Sequence, residues 1–202
     1  MITYAVNEFH KNRQNGLIMK HFFYAENEKC ILAPLEEKHI ELLRTWRNDP
    51  TLSRFLRPIA YITFQEEQKW FKHYQEDKTT IFFIVIDRTT SRSVGTVALY
   101  HIEDSKCEIG KIVIGDPSAH GKGLGYNAVC LAIHIAFEKL NIEELRLDVH
   151  SDNIAALTIY SRVGFEICGM HDFICGGHEL EMRITRKRFL ACNPDYDVNE
   201  VD

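Results

Sequence analysis

Gly121, Gly123 and Gly125 alternate with Lys122 and Leu124, directly before the apolar run Tyr126 to Phe137. The strand-like stretch KCEIGKIVIG (106–115) precedes them, across the short turn DPSA (116–119). Residues without side chains at a helix start let the backbone approach a ligand closely. The unpaired N–H groups of the first helical turn then attract an anion. A phosphate-bearing ligand is the chemistry this pattern predicts. Two well-known phosphate motifs fail on spacing. A P-loop places four residues between its first glycine and the Gly-Lys pair, followed by Ser or Thr for the metal. Here five residues separate Gly115 from Gly121, and Gly123 stands where the hydroxyl belongs. The dinucleotide fingerprint needs GxGxxG with an acidic residue further on, whereas this cluster reads GxGxG.

The elements around this cluster follow from hydrophobic periodicity. The 202 residues are enough for one domain with a substantial core. CILAPL (30–35) reads as a strand, and Ile40, Leu43 and Trp46 mark a helix ending near Asn48-Asp49-Pro50. The loop LSRFLRPIAY (52–61) follows. Thr63 is the N-cap of a second helix through Tyr74, with Glu66 completing a capping box. IFFIVI (81–86) and SVGTVALYHI (93–102) form a hairpin, and ELRLDVH (144–150) alternates as a strand. Asn153 caps a helix closed by Gly164. FEICGMHDFI and HELEMRITRKRF form a final hairpin around Gly176-Gly177. This order predicts an α/β domain over 29–190, with an N-terminal extension over 1–28 and an acidic, disordered tail over 191–202. Met19 is an alternative first residue that the sequence leaves open.

A net charge of −5 argues against general nucleic-acid binding. Six scattered cysteines without a CxxC pair fit reduced thiols in a cytoplasmic protein. No run is long and apolar enough to predict a membrane span, and ten histidines form no HExxH-like ligand pattern, so no metal is expected.

The order of elements, the HGKGLG cluster (120–125) and NIAALTIYSRVGF (153–165) together resemble the GCN5-related N-acetyltransferases (GNAT). HGKGLG stands where that family has Arg or Gln, two residues, Gly, any residue, then Gly or Ala. Asn153, Ala156, Tyr160, Gly164 and Phe165 match its NxxAxxxYxxxGF pattern. His120 is the departure from the usual Arg or Gln. The resemblance implies a mixed, mostly antiparallel sheet with helices on both faces and one parallel strand pair splayed into an acetyl-CoA cleft. It implies pantetheine contacts from Ile112, Val113 and Ile114, and pyrophosphate contacts from His120, Gly121, Lys122, Gly123, Leu124 and Gly125. Asn153, Ala156 and Tyr160 would border the same coenzyme.

Acetyl transfer to an amine needs a neutral amine, a polarised thioester carbonyl and a proton for the departing thiolate. The resemblance makes Tyr160 the proton donor, with a core tyrosine as the plain alternative. Glu108 is the leading proton acceptor, against an exposed carboxylate paired with Lys111 or Arg146. His150, at the end of its strand, is a second base candidate, although a surface histidine is the more ordinary role. Arg47, Arg54, Arg57 and Tyr61 lie where the family builds its acceptor pocket, with Trp70 as a stacking surface. The expected acceptor is a small-molecule amine, first a nucleotide-linked amino sugar, then a polyamine or a protein N-terminus. A non-catalytic acyl-CoA-binding module is the competing class. A second copy of the chain is an open option as partner, and Asn127, His134 and Asp172 carry no assigned role.

Overall fold

A computed structural model describes residues 3–4, 23–55 and 59–196 of the chain. Arg57, Met19 and most of the expected extension lie outside the described residues. The sheet has nine strands among the described residues, in the order β1-β2-β3-β4-β5-β6-β7-β9-β8. These are β1 (Thr3–Tyr4), β2 (Ala25–Glu26), β3 (Cys30–Pro34), β4 (Ile81–Asp87), β5 (Arg92–Glu103), β6 (Lys106–Ile114), β7 (Glu144–His150), β8 (Glu166–Asp172) and β9 (His178–Thr185). All neighbours pair antiparallel except β6 and β7. The helices are α1 (Ile40–Asn48), α2 (Pro50–Ser53), α3 (Phe64–Glu76), α4 (Leu124–Lys139), α5 (Ile154–Val163) and α6 (Arg186–Cys192).

Alternation decides which face each strand residue serves. Val97, Leu99, Cys107, Ile109, Leu145, Leu147, Val149, Met182 and Ile184 share one core with α4, α5 and α6. Phe82, Ile84 and Ala98 face the opposite side, where α1 and α3 supply Ile40, Leu43, Phe71 and Tyr74. Helix α4 lies deep in the first core, and between Leu124 and Phe137 only Tyr126 and Asn127 reach solvent. This is the all-round apolar helix its sequence describes. Thr63 and Glu66 close the capping box of α3 as expected.

Three expectations change. The loop after Pro50 begins with the single-turn α2, started by the Asp49 carboxylate accepting from the Thr51 N–H at 2.7 Å. The run HELEMRITRKRF does not stay extended. Thr185 Oγ1 accepts from the Arg188 N–H at 3.4 Å, and the chain turns into α6 with Phe189 fully buried. Nor is the segment from 191 to 196 loose, because Asn193 and Tyr196 are buried, at 4% and 8% exposure. Asn193 Nδ2 donates to the carbonyls of Val163 and Phe189, at 2.7 and 2.9 Å, which ties the chain end to α5 and α6.

Candidate active site

The parallel pair β6–β7 is short. Lys106, Cys107 and Glu108 pair with Glu144, Leu145 and Arg146, and there the pairing stops. Beyond that point β6 stays with β5, while β7 stays with β9 along its full length. The two strands therefore part, and the β7-facing edge of Ile109–Ile114 is left without a strand partner. A bulge enters β6 in the same stretch. Lys111 takes φ +53°, and its carbonyl accepts from Thr96 Oγ1 at 2.7 Å. Such a bulge re-aims the following backbone groups, here those of Ile112 and Val113.

The glycine cluster sits past the end of β6. Gly121 and Gly123 have φ +73° and +77°, the left-handed region that favours glycine. A Cβ added at Gly121 would meet nothing within 4 Å, so the space over this backbone is open. Gly125 is buried, and a Cβ there would press on Ile159 of α5 at 3.3 Å. Gly123 is the N-cap of α4, and no side chain caps the helix from outside. The N–H groups of Leu124, Gly125 and Tyr126 thus have no acceptor within the helix and point out of its positive end. His120 does something else. Its Nε2 donates to the Ile114 carbonyl at 2.7 Å, tying the turn back to β6. Lys122 is half exposed and reaches the buried Asp87 carboxylate at 3.7 Å.

Asn153 begins α5, its Oδ1 accepting from the Ala156 N–H at 3.2 Å. Two turns on, Tyr160 is 8% exposed and packs edge-on against Phe165 at 5.8 Å. Burial pushes its phenol up to about 12. Gly164, at φ +112°, ends the helix and returns its N–H to the Tyr160 carbonyl at 3.1 Å.

Glu108 lies where the strands begin to part, opposite Tyr100 on one side and Arg146 on the other. His101 Nδ1 is 2.9 Å from its Oε1, and Tyr100 is its cross-strand partner on β5. Burial raises the Tyr100 phenol, followed by the charge of Glu108, and Tyr160 and Asp148 are close enough to add to the shift. Asp148 of β7 also has its carboxyl raised, by burial first, with Glu179, Glu108 and Glu181 opposing the favourable His171. Tyr100, His101 and Asp148 are neighbours that sequence reasoning missed. A second bulge, between Tyr100 and Glu103, brings Tyr100 opposite Glu108, and no count along the chain reveals it.

Both ring nitrogens of His150 are engaged locally. Its Nδ1 accepts from the Asp152 N–H at 3.2 Å, and Nε2 is 3.3 Å from the Gly176 carbonyl. The ring is wedged between Phe55, stacked at 5.4 Å, and Phe173, edge-on at 5.3 Å. It is a corner post at the end of β7.

The expected acceptor residues do not form one site. Arg47 and Tyr61 line a hollow of about 210 Å³ between α1 and α3, with Glu66, Glu67 and Trp70. There Arg47 is committed to the fully buried Glu67 carboxylate at 2.8 Å and lies over the Trp70 ring at 5.4 Å. The Tyr61 hydroxyl accepts from Arg44 at 2.9 Å. Arg54 stands elsewhere, over Phe55 at 4.4 Å and so beside His150. No group of three or more His, Cys, Asp or Glu suited to a metal occurs among the described residues. The six cysteines are free; Cys30, Cys107 and Cys130 are buried, and Cys168, Cys175 and Cys192 are exposed. No helix among the described residues is long and apolar enough to cross a membrane.

Known proteins share this arrangement. The chain is 31% identical over 150 residues to an N-acetyltransferase 9-like protein of Caenorhabditis briggsae, which covers 69% of this chain and 75% of the relative. It is 30% identical to the acetyltransferase PseH of Campylobacter jejuni, over 66% of this chain and 80% of that protein. The crystal structure of spermidine N-acetyltransferase from Vibrio cholerae, in complex with CoA and spermine, superposes with a TM-score of 0.73 at 23% identity. That match covers 81% of this chain and 99% of the other. The family model for the acetyltransferase (GNAT) domain matches residues 29–166, so the splayed strands, glycine turn and helix α5 belong to a GNAT N-acetyltransferase.

Proposed function

We propose that the chain moves an acetyl group from acetyl-CoA to a small primary amine that arrives as a cation. The open glycine turn at the start of α4 fits a pyrophosphate, and the unpartnered edge of Ile109–Ile114 fits an extended pantetheine arm. Acetyl-CoA supplies an activated thioester. The chain's own groups do the rest. Glu108 takes a proton from the bound ammonium, freeing the lone pair that forms the C–N bond as the C–S bond breaks. Tyr160 donates a hydrogen bond to the departing sulfur, which takes the second proton released by the acylated nitrogen. His101 holds the Glu108 carboxylate in place, with Tyr100 opposite it on β5.

The observation that carries the acceptor class is the charge at the parting of the strands. Glu108 and Asp148 meet there, and behind Asp148 lie Glu181, paired to Arg146 at 3.0 Å, and Glu179, 3.2 Å from His171 Nε2. Carboxylates crowded in this way attract an ammonium group and disfavour a phosphate. Of the arginines expected to hold an anionic acceptor, Arg47 is committed to Glu67, Arg54 lies over Phe55, and Arg57 is outside the described residues. A polyamine-like acceptor is therefore preferred over the nucleotide-linked amino sugar. The amino sugar is the second reading, favoured by the Arg54–Phe55–His150 stack, which offers a guanidinium beside aromatic rings.

The test is release of free thiol from acetyl-CoA in the presence of polyamines, amino-sugar nucleotides or peptides with free N-termini. The polyamines are expected to give the highest kcat/KM. Higher values with the nucleotide sugars would overturn the cationic reading, and absence of thiol release with every amine would overturn catalysis altogether.

A further inference from the structure

Asn127 is one of two residues of α4 before Phe137 that solvent reaches, and it lies in the turn next to the glycines. Both ends of its side-chain amide are engaged. Nδ2 donates to the Gly123 carbonyl at 2.9 Å, beside the backbone N–H of the same residue at 3.1 Å. Oδ1 accepts from Asn27 Nδ2 at 2.9 Å, across 100 residues of sequence. Asn27 is itself 8% exposed and immobilised. Its Oδ1 accepts from the N–H groups of Lys29 and Cys30, its Nδ2 also donates to the Tyr196 hydroxyl at 3.2 Å, and its carbonyl accepts from Arg88. The other solvent-reached residue, Tyr126, is held in the same way from the chain end, its hydroxyl donating to Asn193 Oδ1 at 2.7 Å. Asn27, Asn193 and Tyr196 all lie outside the region that matches the family model.

We infer that Asn127, anchored through Asn27, is a positioning residue for the coenzyme pyrophosphate. The inference rests on the acetyl-CoA reading above. The Gly123 carbonyl and the Leu124 N–H belong to one planar trans peptide and point in opposite directions. Pinning that carbonyl toward the helix with two donors aims the Leu124 N–H out of the helix end, at the position of the anion. Gly123, in the left-handed region with no Cβ, would otherwise let this peptide plane rotate. A preset N–H costs nothing to orient when the phosphate arrives.

The experiment compares acetyl-CoA with S-acetylpantetheine, which carries the same thioester but no pyrophosphate, on the intact chain. Wild type is expected to use acetyl-CoA with the higher kcat/KM; equal values would overturn the cradle reading itself. Asn127→Ala is expected to lower the preference for acetyl-CoA about tenfold, through KM, the effect of one oriented hydrogen bond. Asn127→Thr should regain most of it. A threonine hydroxyl reaches the carbonyl four residues back in a helix, as Thr158 does here to Ile154 at 2.7 Å. Melting temperatures measured alongside identify any variant that fails to fold. A folded Asn127→Ala protein with an unchanged preference, or a loss shared equally by both thioesters, would overturn the inference. So would an Asn127→Thr protein that behaves like the alanine variant.

Discussion

Replacing Tyr160 with phenylalanine removes one oxygen and leaves the ring against Phe165. The phenol is 8% exposed and pushed up to about 12 by burial, whereas an ordinary thiol titrates near ~8.5. Complete proton transfer from this phenol to the departing thiolate is therefore uphill. Tyr160 contributes chiefly as a hydrogen-bond donor to charge developing on sulfur, a role whose removal costs about 10²-fold in kcat. The Tyr160→Phe protein should show that loss with an unchanged KM for acetyl-CoA and a melting temperature close to wild type. The pH dependence gives a second check. A phenol raised to about 12 stays protonated throughout the neutral range, so the fold-loss should be constant from about pH 6 to 9. Thiol release under saturating amine measures both quantities. Turnover within twofold of wild type would remove Tyr160 from the mechanism. A loss that vanished toward pH 9 would mean that the phenol is not the donor described here.

Further outcomes follow from other contacts. Glu108→Gln should lower kcat/KM about 10²-fold near pH 7, and the deficit should narrow above about pH 9 as the amine loses its own proton; a pH-independent deficit would point to a positional role. Arg47→Met strands the fully buried Glu67 carboxylate and should cost about 3 kcal/mol in denaturant unfolding at pH 7. Burial already raises the Glu67 carboxyl above its ordinary value of 4.5, and Arg47 opposes that shift. With the folded value raised, stability is greatest below 4.5 and falls as pH rises through the folded pKa, so the Arg47→Met deficit should shrink toward pH 4.5; equal deficits at both ends would contradict the charge argument. Gly115→Ala would drive its Cβ into the buried Trp46 ring and should destabilise by about 1–3 kcal/mol, read from the denaturation midpoint.

Much of this protein was legible in its sequence because the signals are local. Gly121 and Gly123 needed a left-handed backbone, Asn153 and Thr63 needed N–H groups to cap, and the apolar run from Leu124 to Phe137 could only be a buried helix. These depend on steric limits and hydrogen-bond demands that a residue carries wherever it is placed. What surrounds the chemistry was decided only by the tertiary structure. Tyr100 faces Glu108 because a bulge shifts the register of β5 against β6. His150 has both ring nitrogens engaged, by the Gly176 carbonyl in the β8–β9 turn and by the Asp152 N–H. Arg47 is drawn to Glu67, twenty residues away, because α1 and α3 pack side by side. The glycines themselves announced an anion site, but the side chain that sets their backbone is held from Asn27, 100 residues upstream. Periodicity and spacing describe a chain along its length, whereas hydrogen bonds between distant segments exist only once the sheet and its helices have closed around them.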